Sequence, residues 1–299
     1  MSRHKLRNMN ICYSDVDLGA SDADTSGHAR LQDFLDLCSA YPTNLSLSLH
    51  LPYGTYCRSL KPTDTVAPGV HTVHPLRYSL SSFEVASVSS RYALQLLTLV
   101  NPRTCHRLRK LGIQLADGPC AELMAEVTSI LQFFGAALED FQWVHKQVEA
   151  FEAAIPRLSA NTSLEHLRIV FTLPPSPQTI QMMFAALLSD ITSSHLRQIN
   201  FLIYLERPGY HRDANVVPVS PAYTTTSIPT FHAMLSRGIY DRLPKNGVSI
   251  HFCRSGIFIP MLEDGTVMSG IKSHMSALFA PWLSRGVLDI KFEHDFNWP

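Results

Sequence analysis

The sequence predicts an α/β protein, a leucine-rich-repeat-like solenoid with parallel strands on one curved face and helices on the other. Three observations predict it. Short leucine-rich strand motifs recur along the 299 residues, segments of helical periodicity separate them, and no strand is followed by a glycine-rich phosphate-binding turn. We expect one irregular domain over residues 1–299, with long proline-rich surface loops near residues 51–75 and 206–229.

The strands are predicted by apolar residues in a Leu-x-x-Leu-x-Leu pattern. In Leu111, Ile113 and Leu115 the alternation is that of a half-buried strand. The pattern occurs at residues 6–11, 94–99, 108–113, 138–143, 164–169 and 196–201, with looser versions at 45–49, 248–252 and 288–292. Spacings of 30, 26 and 32 residues separate the motifs that begin at 108, 138, 164 and 196. This cadence is slightly longer than the roughly 20–29 residues of a leucine-rich repeat.

Helices are predicted between these strands. Ser176 and Pro177 supply an N-cap and a first-turn proline, and apolar residues from Ile180 to Ile191 then share one face. A similar pattern over residues 123–134 stops near Gly135. Shorter patterns cover residues 31–38 and 148–155. Strand and helix therefore alternate along the chain.

The same alternation also builds doubly wound sheets, which would favour a hydrolase-like enzyme as the alternative function. Doubly wound sheets bury both faces of their strands, whereas these strands carry polar residues at every second position. The sequence contains no nucleophile elbow, and its scattered cysteines and histidines leave a catalytic Cys–His pair without support. We therefore predict a non-catalytic protein and no enzyme activity.

The charge balance, the cysteines and the apolar segments of the chain indicate its class of partner and its cellular compartment. Lys plus Arg and Asp plus Glu number 25 each, and the charged fraction of 17% is below the roughly 25% typical of soluble domains. No nucleic-acid partner is implied, and we interpret the basic run from Arg103 to Lys110 as the solvated start of a strand. Six cysteines without a C-x-x-C pair, no long apolar run and no apolar signal-peptide core predict a reduced protein of the cytoplasm or nucleus, without membrane contact.

One stretch, Ser21 to Phe34, resembles a calcium-binding loop in its spacing. The residues at places 1, 3, 5, 6 and 12 of an EF-hand loop would be Asp22, Asp24, Ser26, Gly27 and Asp33. A strand and not a helix is predicted before it, so we interpret the stretch as a strand-to-helix turn in which Asp and Ser cap backbone N–H groups. His71 and His74 have no third ligand at metal-binding spacing. We expect no metal and no cofactor.

The cadence of strands at Leu108, Leu138, Leu164 and Leu196, together with the C-terminal portion from Gly256 to His294, resembles the leucine-rich-repeat region of fungal F-box proteins, above all those of mushroom-forming fungi. The resemblance covers nearly the whole chain. It implies that the repeats recruit a substrate protein, while an N-terminal F-box would dock on the adaptor of a cullin-type ubiquitin ligase. No F-box precedes the first repeat strand here, so we expect either a fragment of a longer protein or a relative without ligase coupling, and no adaptor binding.

A partner-binding surface is predicted by the alternation along three strands. Apolar residues point inwards, so the polar residues between them face outwards on the concave face: Asp140, Gln142, His166, Arg168, Gln198 and Asn200. If successive strands are neighbours about 4.8 Å apart, these residues form two parallel rows. We predict that a protein partner binds across both rows.

Overall fold

In the described part of the chain, nine parallel strands form one open sheet in which the strand order follows the chain order. A computed structural model describes residues 11–12, 45–50, 80–97, 100, 108–116, 118–145, 155–173, 177–205, 227–254 and 265–293. The strands are β1 Ile11–Cys12, β2 Leu45–His50, β3 Leu80–Val88, β4 Lys110–Leu115, β5 Asp140–Val144, β6 His166–Leu173, β7 Gln198–Leu205, β8 Val248–Arg254 and β9 Leu288–Glu293. Each strand is added beside the previous one, with no reversal of order.

The described helices pack on one face of this sheet. They are α1 Ser90–Leu97, α2 Ala121–Phe133, α3 Pro177–Asp190, α4 Ile228–Leu235, α5 Gly265–Leu278 and α6 Ala280–Ser284, with a 3-10 helix at Gly238–Tyr240. Their buried apolar residues belong to one core with every second residue of the strands. Phe184 of α3, for example, meets Phe201 of β7 edge to face at 4.9 Å between ring centroids. No helix in the described part of the chain combines the length and apolar character that crossing a bilayer requires.

The core is built from columns of apolar side chains that run across the strands. One column joins equivalent positions of seven strands: Phe83, Leu111, Phe141, Leu167, Ile199, Val248 and Leu288. All seven are at most 5% exposed. Burying one large apolar side chain contributes roughly 1.5–3 kcal/mol, so the columns supply a large share of the stabilising free energy. Each unit completes its apolar face with side chains of its neighbours.

Backbone contacts repeat from one unit to the next in the middle of the sheet. A single carbonyl accepts the N–H groups of two consecutive residues of the following unit, and this happens three times: Arg109 O from Glu139 and Asp140, Glu139 O from Glu165 and His166, and Glu165 O from Arg197 and Gln198. The N···O distances are 2.8 to 3.1 Å. The three units therefore begin their strands at equivalent backbone positions.

Buried polar side chains join the loops of neighbouring units. Nδ2 of Asn161 donates to the carbonyl of Leu131 at 3.1 Å, and the hydroxyl of Ser193 donates to the carbonyl of Leu164 at 2.7 Å. Asn161 and Ser193 are 1% and 0% exposed. Because a buried carbonyl without a donor costs free energy, these side chains hold each loop against the preceding unit.

The α/β class is confirmed, and so are the predicted strands at 45–49, 108–113, 138–143, 164–169, 196–201, 248–252 and 288–292. The predicted helices over residues 123–134 and 180–191 are present as α2 and α3, with Ile191 just beyond the end of α3. Of the pattern at residues 6–11 only Ile11 is described, in β1. The predicted helix over residues 31–38 lies outside the described residues, and Ile155 at the end of the pattern over 148–155 lies in a bend.

The strand predicted over residues 94–99 is wrong. Leu94 and Leu97 lie in helix α1, and the strand of this unit is β3, Leu80–Val88. Leu-x-x-Leu is also the spacing of one helical turn, and Ala93, Leu96 and Leu97 are buried together on the helix face that meets the core. The pattern alone does not distinguish the two elements.

The loop predicted over residues 206–229 is wrong at its end, because α4 begins at Ile228 and contains Pro229. Proline is tolerated in the first helical turn, where its missing N–H has no intrahelical acceptor. The hydroxyl of Ser227 caps this helix by accepting the N–H of Thr230 at 3.3 Å. Residues 206–226, like the loop predicted near residues 51–75, lie outside the described part of the chain.

Candidate functional site

The face of the sheet opposite the described helices, called here the helix-free face, carries two rows of mostly polar residues, called here the polar rows. The first joins Ser82, Lys110, Asp140, His166 and Gln198. The second joins Glu84, Gln142, Arg168, Asn200, Ser249 and Asp289, with Gly112 between Glu84 and Gln142. The six residues singled out by the sequence therefore lie together on β5, β6 and β7, in the two rows that the alternation predicts. That they bind a partner stays a prediction.

Strand alternation places these side chains opposite the core. Gln142 lies between Phe141 and Trp143, both fully buried on the helix side, and Arg168 lies between Leu167 and Ile169 in the same way. Arg168 and Gln198 are exposed, while the other four predicted residues are half-buried. The rows therefore present polar groups that rigid strands hold in fixed register.

An ion network occupies one end of the first row. Nζ of Lys110 lies 2.9 Å from Oε1 of Glu84 and 3.9 Å from Oδ2 of Asp140. Burial lowers the pKa of Lys110, but the hydrogen bond and charge of Glu84, with the charge of Asp140, raise it overall. Burial raises the pKa of Asp140 against the opposing charges of Lys110 and His166. Lys110 is thus engaged by two carboxylates.

A neutral network occupies β7 and β8. Oδ1 of Asn200 accepts the hydroxyl of Ser249 at 2.7 Å and an amide N–H of Gln198 at 3.4 Å. These contacts connect both rows at β7 and use the acceptor oxygen of the Asn200 side chain. The N–H groups of the Asn200 side-chain amide remain as donors to a partner.

Arg168 lies between these two networks. Its neighbours in the second row are Gln142 on β5 and Asn200 on β7. Arg168 is exposed, and none of the ion pairs among the described residues includes it. The guanidinium group is therefore an available cation in the middle of the polar rows.

The helix-free face becomes apolar towards the carboxyl ends of β5 to β8. Val144, Val170, Tyr204 and Cys253 form a cluster of their own, with Leu202 packed against it. Their exposed fractions are only 1 to 7%. This cluster was not predicted, although Val144 and Val170 follow the outward positions of their strands. It marks the limit of the polar rows along the strands.

Sequence reasoning also missed polar residues that belong to the rows. Glu84 was missed because strand β3 was not recognised, and Lys110 because it was assigned to a basic run. Ser249 and Asp289 lie between the inward residues of β8 and β9, so alternation along those strands could have identified them. The rows extend further across the sheet than the six predicted residues.

In the part of the chain that the structure describes, no cluster of three or more His, Cys, Asp or Glu side chains could hold a metal ion. The stretch Ser21 to Phe34, with its EF-hand-like spacing, and the pair His71 and His74 lie outside the described residues. The interpretation of both stays a prediction. Cys120, among the described residues, is a free thiol.

No protein-family model, curated protein or solved structure matches this chain.

Proposed function

We propose that the chain is a non-catalytic protein-recognition module whose polar rows bind a protein partner. In this proposal the sheet is the concave surface of a leucine-rich-repeat-like solenoid, and Asp140, Gln142, His166, Arg168, Gln198 and Asn200 lie at the centre of the interface. The observation that carries it is the alignment of polar groups from successive strands into two rows on the helix-free face.

The strand order supports a repeat architecture. In a doubly wound sheet the order reverses at a switch point, where the carboxyl ends of the strands form a ligand crevice. Here β1 to β9 follow one another across the sheet, and the described helices share one core on one face. Strands that pair only with their neighbours in the chain, and units that repeat the same backbone bonds, are typical of solenoids, which bind partners on an extended strand face. These features favour recognition over the hydrolase alternative.

The resemblance to the repeat region of fungal F-box proteins gives the proposal its cellular setting. In that family the repeats recruit the protein that a ubiquitin ligase modifies. We propose the equivalent step for this chain, recruitment of a protein substrate in the cytoplasm or nucleus. Contact with the ligase adaptor is not part of the proposal.

Affinity capture from the native cell, followed by calorimetry with the purified partner, tests the proposal. Replacing Arg168 by Glu is expected to weaken binding by about 2 kcal/mol if the charge is buried at the interface. Arg197→Glu is a matched control, because it makes the same charge change at an exposed residue that pairs with Glu165 at 3.2 Å before the rows begin. Equal affinity of both variants and the parent, with unchanged circular dichroism, would remove the polar rows from the interface.

A further inference from the structure

We propose that the partner presents an acidic side chain, Asp or Glu, to Arg168, and that Gln142 and Asn200 complete the carboxylate site. This inference rests on the proposed function and adds the chemistry of the partner. An acidic segment of a protein would lie across β5 to β7, with one carboxylate over the second polar row.

The other cations of this face, Lys110 and Lys291, already form ion pairs. Lys110 lies within 2.9 Å of Glu84 and 3.9 Å of Asp140, and Lys291 on β9 lies 3.4 Å from Asp289. Among the described residues of this face, Arg168 is the cation without an ion pair. A partner that brings a carboxylate gains a charge-assisted hydrogen bond without breaking an existing ion pair.

Hydrogen-bond donors flank the guanidinium group of Arg168. Gln142 and Asn200 lie one strand away on either side, about 4.8 Å from Arg168 along the row. Oδ1 of Asn200 already accepts from Ser249, which leaves its amide N–H groups for an anion. The planar guanidinium group binds a carboxylate through two parallel N–H bonds, so the site has the donors for one such group.

The charge balance of the polar rows favours a carboxylate over a phosphate as the bound group. A phosphorylated residue carries close to two negative charges and is typically bound by a cluster of arginines. In the described polar rows one unpaired arginine shares the surface with three carboxylates, those of Glu84, Asp140 and Asp289. A polyanion such as nucleic acid would meet these negative charges on both sides of Arg168. A single carboxylate in an acidic protein segment fits this balance.

A displayed library of random peptides, selected on the purified chain, tests the inference directly. We expect peptides enriched in Asp and Glu from the parent protein, peptides enriched in Lys and Arg from Arg168→Glu, and the parental acidic preference from Arg197→Glu. The reversal is the decisive result, because a loss of folding removes binding and does not invert its charge preference. Circular dichroism of each variant confirms that it is folded.

A synthetic copy of an enriched peptide then gives the magnitude. Its affinity should fall by on the order of 30-fold for Arg168→Glu and decrease with added salt. Replacing its acidic residue by phosphoserine should give no gain, and tighter phosphopeptide binding would overturn the carboxylate assignment. Neutral or basic peptides selected by the parent would overturn the acidic partner yet leave the proposed function standing if Gln142→Ala abolishes their binding. If the selection yields no enriched peptide, the inference is overturned. If native capture also fails, the proposed function is overturned as well.

Discussion

The phenol of Tyr240 donates a hydrogen bond to the carbonyl of Leu188 at 2.6 Å, although 52 residues separate them. Leu188 is in the last turn of α3, where carbonyl groups have no partner within the helix. Arg237 adds bonds from its guanidinium group to the carbonyls of Leu188, Ser189 and Ile191. Burial raises the pKa of the Tyr240 phenol, which therefore stays protonated as a donor. The end of one helix is thus capped by the following unit.

This capping predicts that Arg237→Ala is strongly destabilising. The substitution removes all three guanidinium bonds and a favourable positive charge at the C-terminus of α3. We expect the free energy of unfolding to fall by about 2–4 kcal/mol, since a hydrogen bond to a charged group contributes roughly 1.5–3 kcal/mol. Urea denaturation measures it. Arg242→Ala, an exposed arginine of the same loop, is the control, and an equal effect of the two substitutions would refute the capping role.

Stacking of neighbouring units predicts opposite effects for two glycine substitutions. A Cβ atom on Gly135 would overlap the backbone carbonyl of Ala160 in the next unit, whereas one on Gly270 in α5 would meet nothing within 4 Å. We expect Gly135→Ala to cost about 1–3 kcal/mol through overpacking. Gly270→Ala should stabilise by about 0.5–1 kcal/mol, because alanine is the better helix former. Thermal melts compare the two variants, and a neutral Gly135→Ala would contradict the close approach.

His274 predicts a loss of stability at mildly acidic pH. Its Nε2 lies 2.8 Å from Oε1 of Gln181 on α3, and burial lowers its pKa. The unfolded chain then binds this proton more readily than the folded chain, so the free energy of unfolding falls as pH drops below the ordinary value of 6.5. His274→Gln should lose less stability than the parent between pH 7 and pH 5. If the free energies of unfolding of the parent and the variant, each taken relative to its value at pH 8, change equally with pH, the role of His274 is contradicted.

Asp140 predicts a pH dependence of the opposite sign. Burial raises its pKa above the ordinary 3.8, so the folded chain binds this proton more readily than the unfolded chain. The resulting stabilisation is present below pH 3.8 and is lost as pH rises through the higher folded pKa. Relative to the parent, Asp140→Asn should therefore gain stability as pH increases from 4 to 7. Denaturant titrations across this range measure the difference in the free energy of unfolding. A variant whose stability relative to the parent falls as pH rises would contradict the burial effect.

The sequence by itself determined which residues of the recognised strands face the core and which face away. Side chains alternate strictly along a strand, so Phe141 and Trp143 on the core side require Gln142 on the other. Where neighbours are added in chain order, as on β5, β6 and β7, this local rule is enough to predict the two rows. The α/β class and most strands follow from the same local periodicity.

Only the tertiary structure decided which element the motif with Leu94 and Leu97 forms, because its spacing suits a helix and a strand equally and packing against the core selects the helix. It also decided that Lys110 pairs with Glu84, which leaves Arg168 as the available cation among the described residues of the polar rows. Those charges belong to different strands, and their distances depend on the register across the sheet. Register is a property of how distant segments pair, and the periodicity within one segment does not contain it.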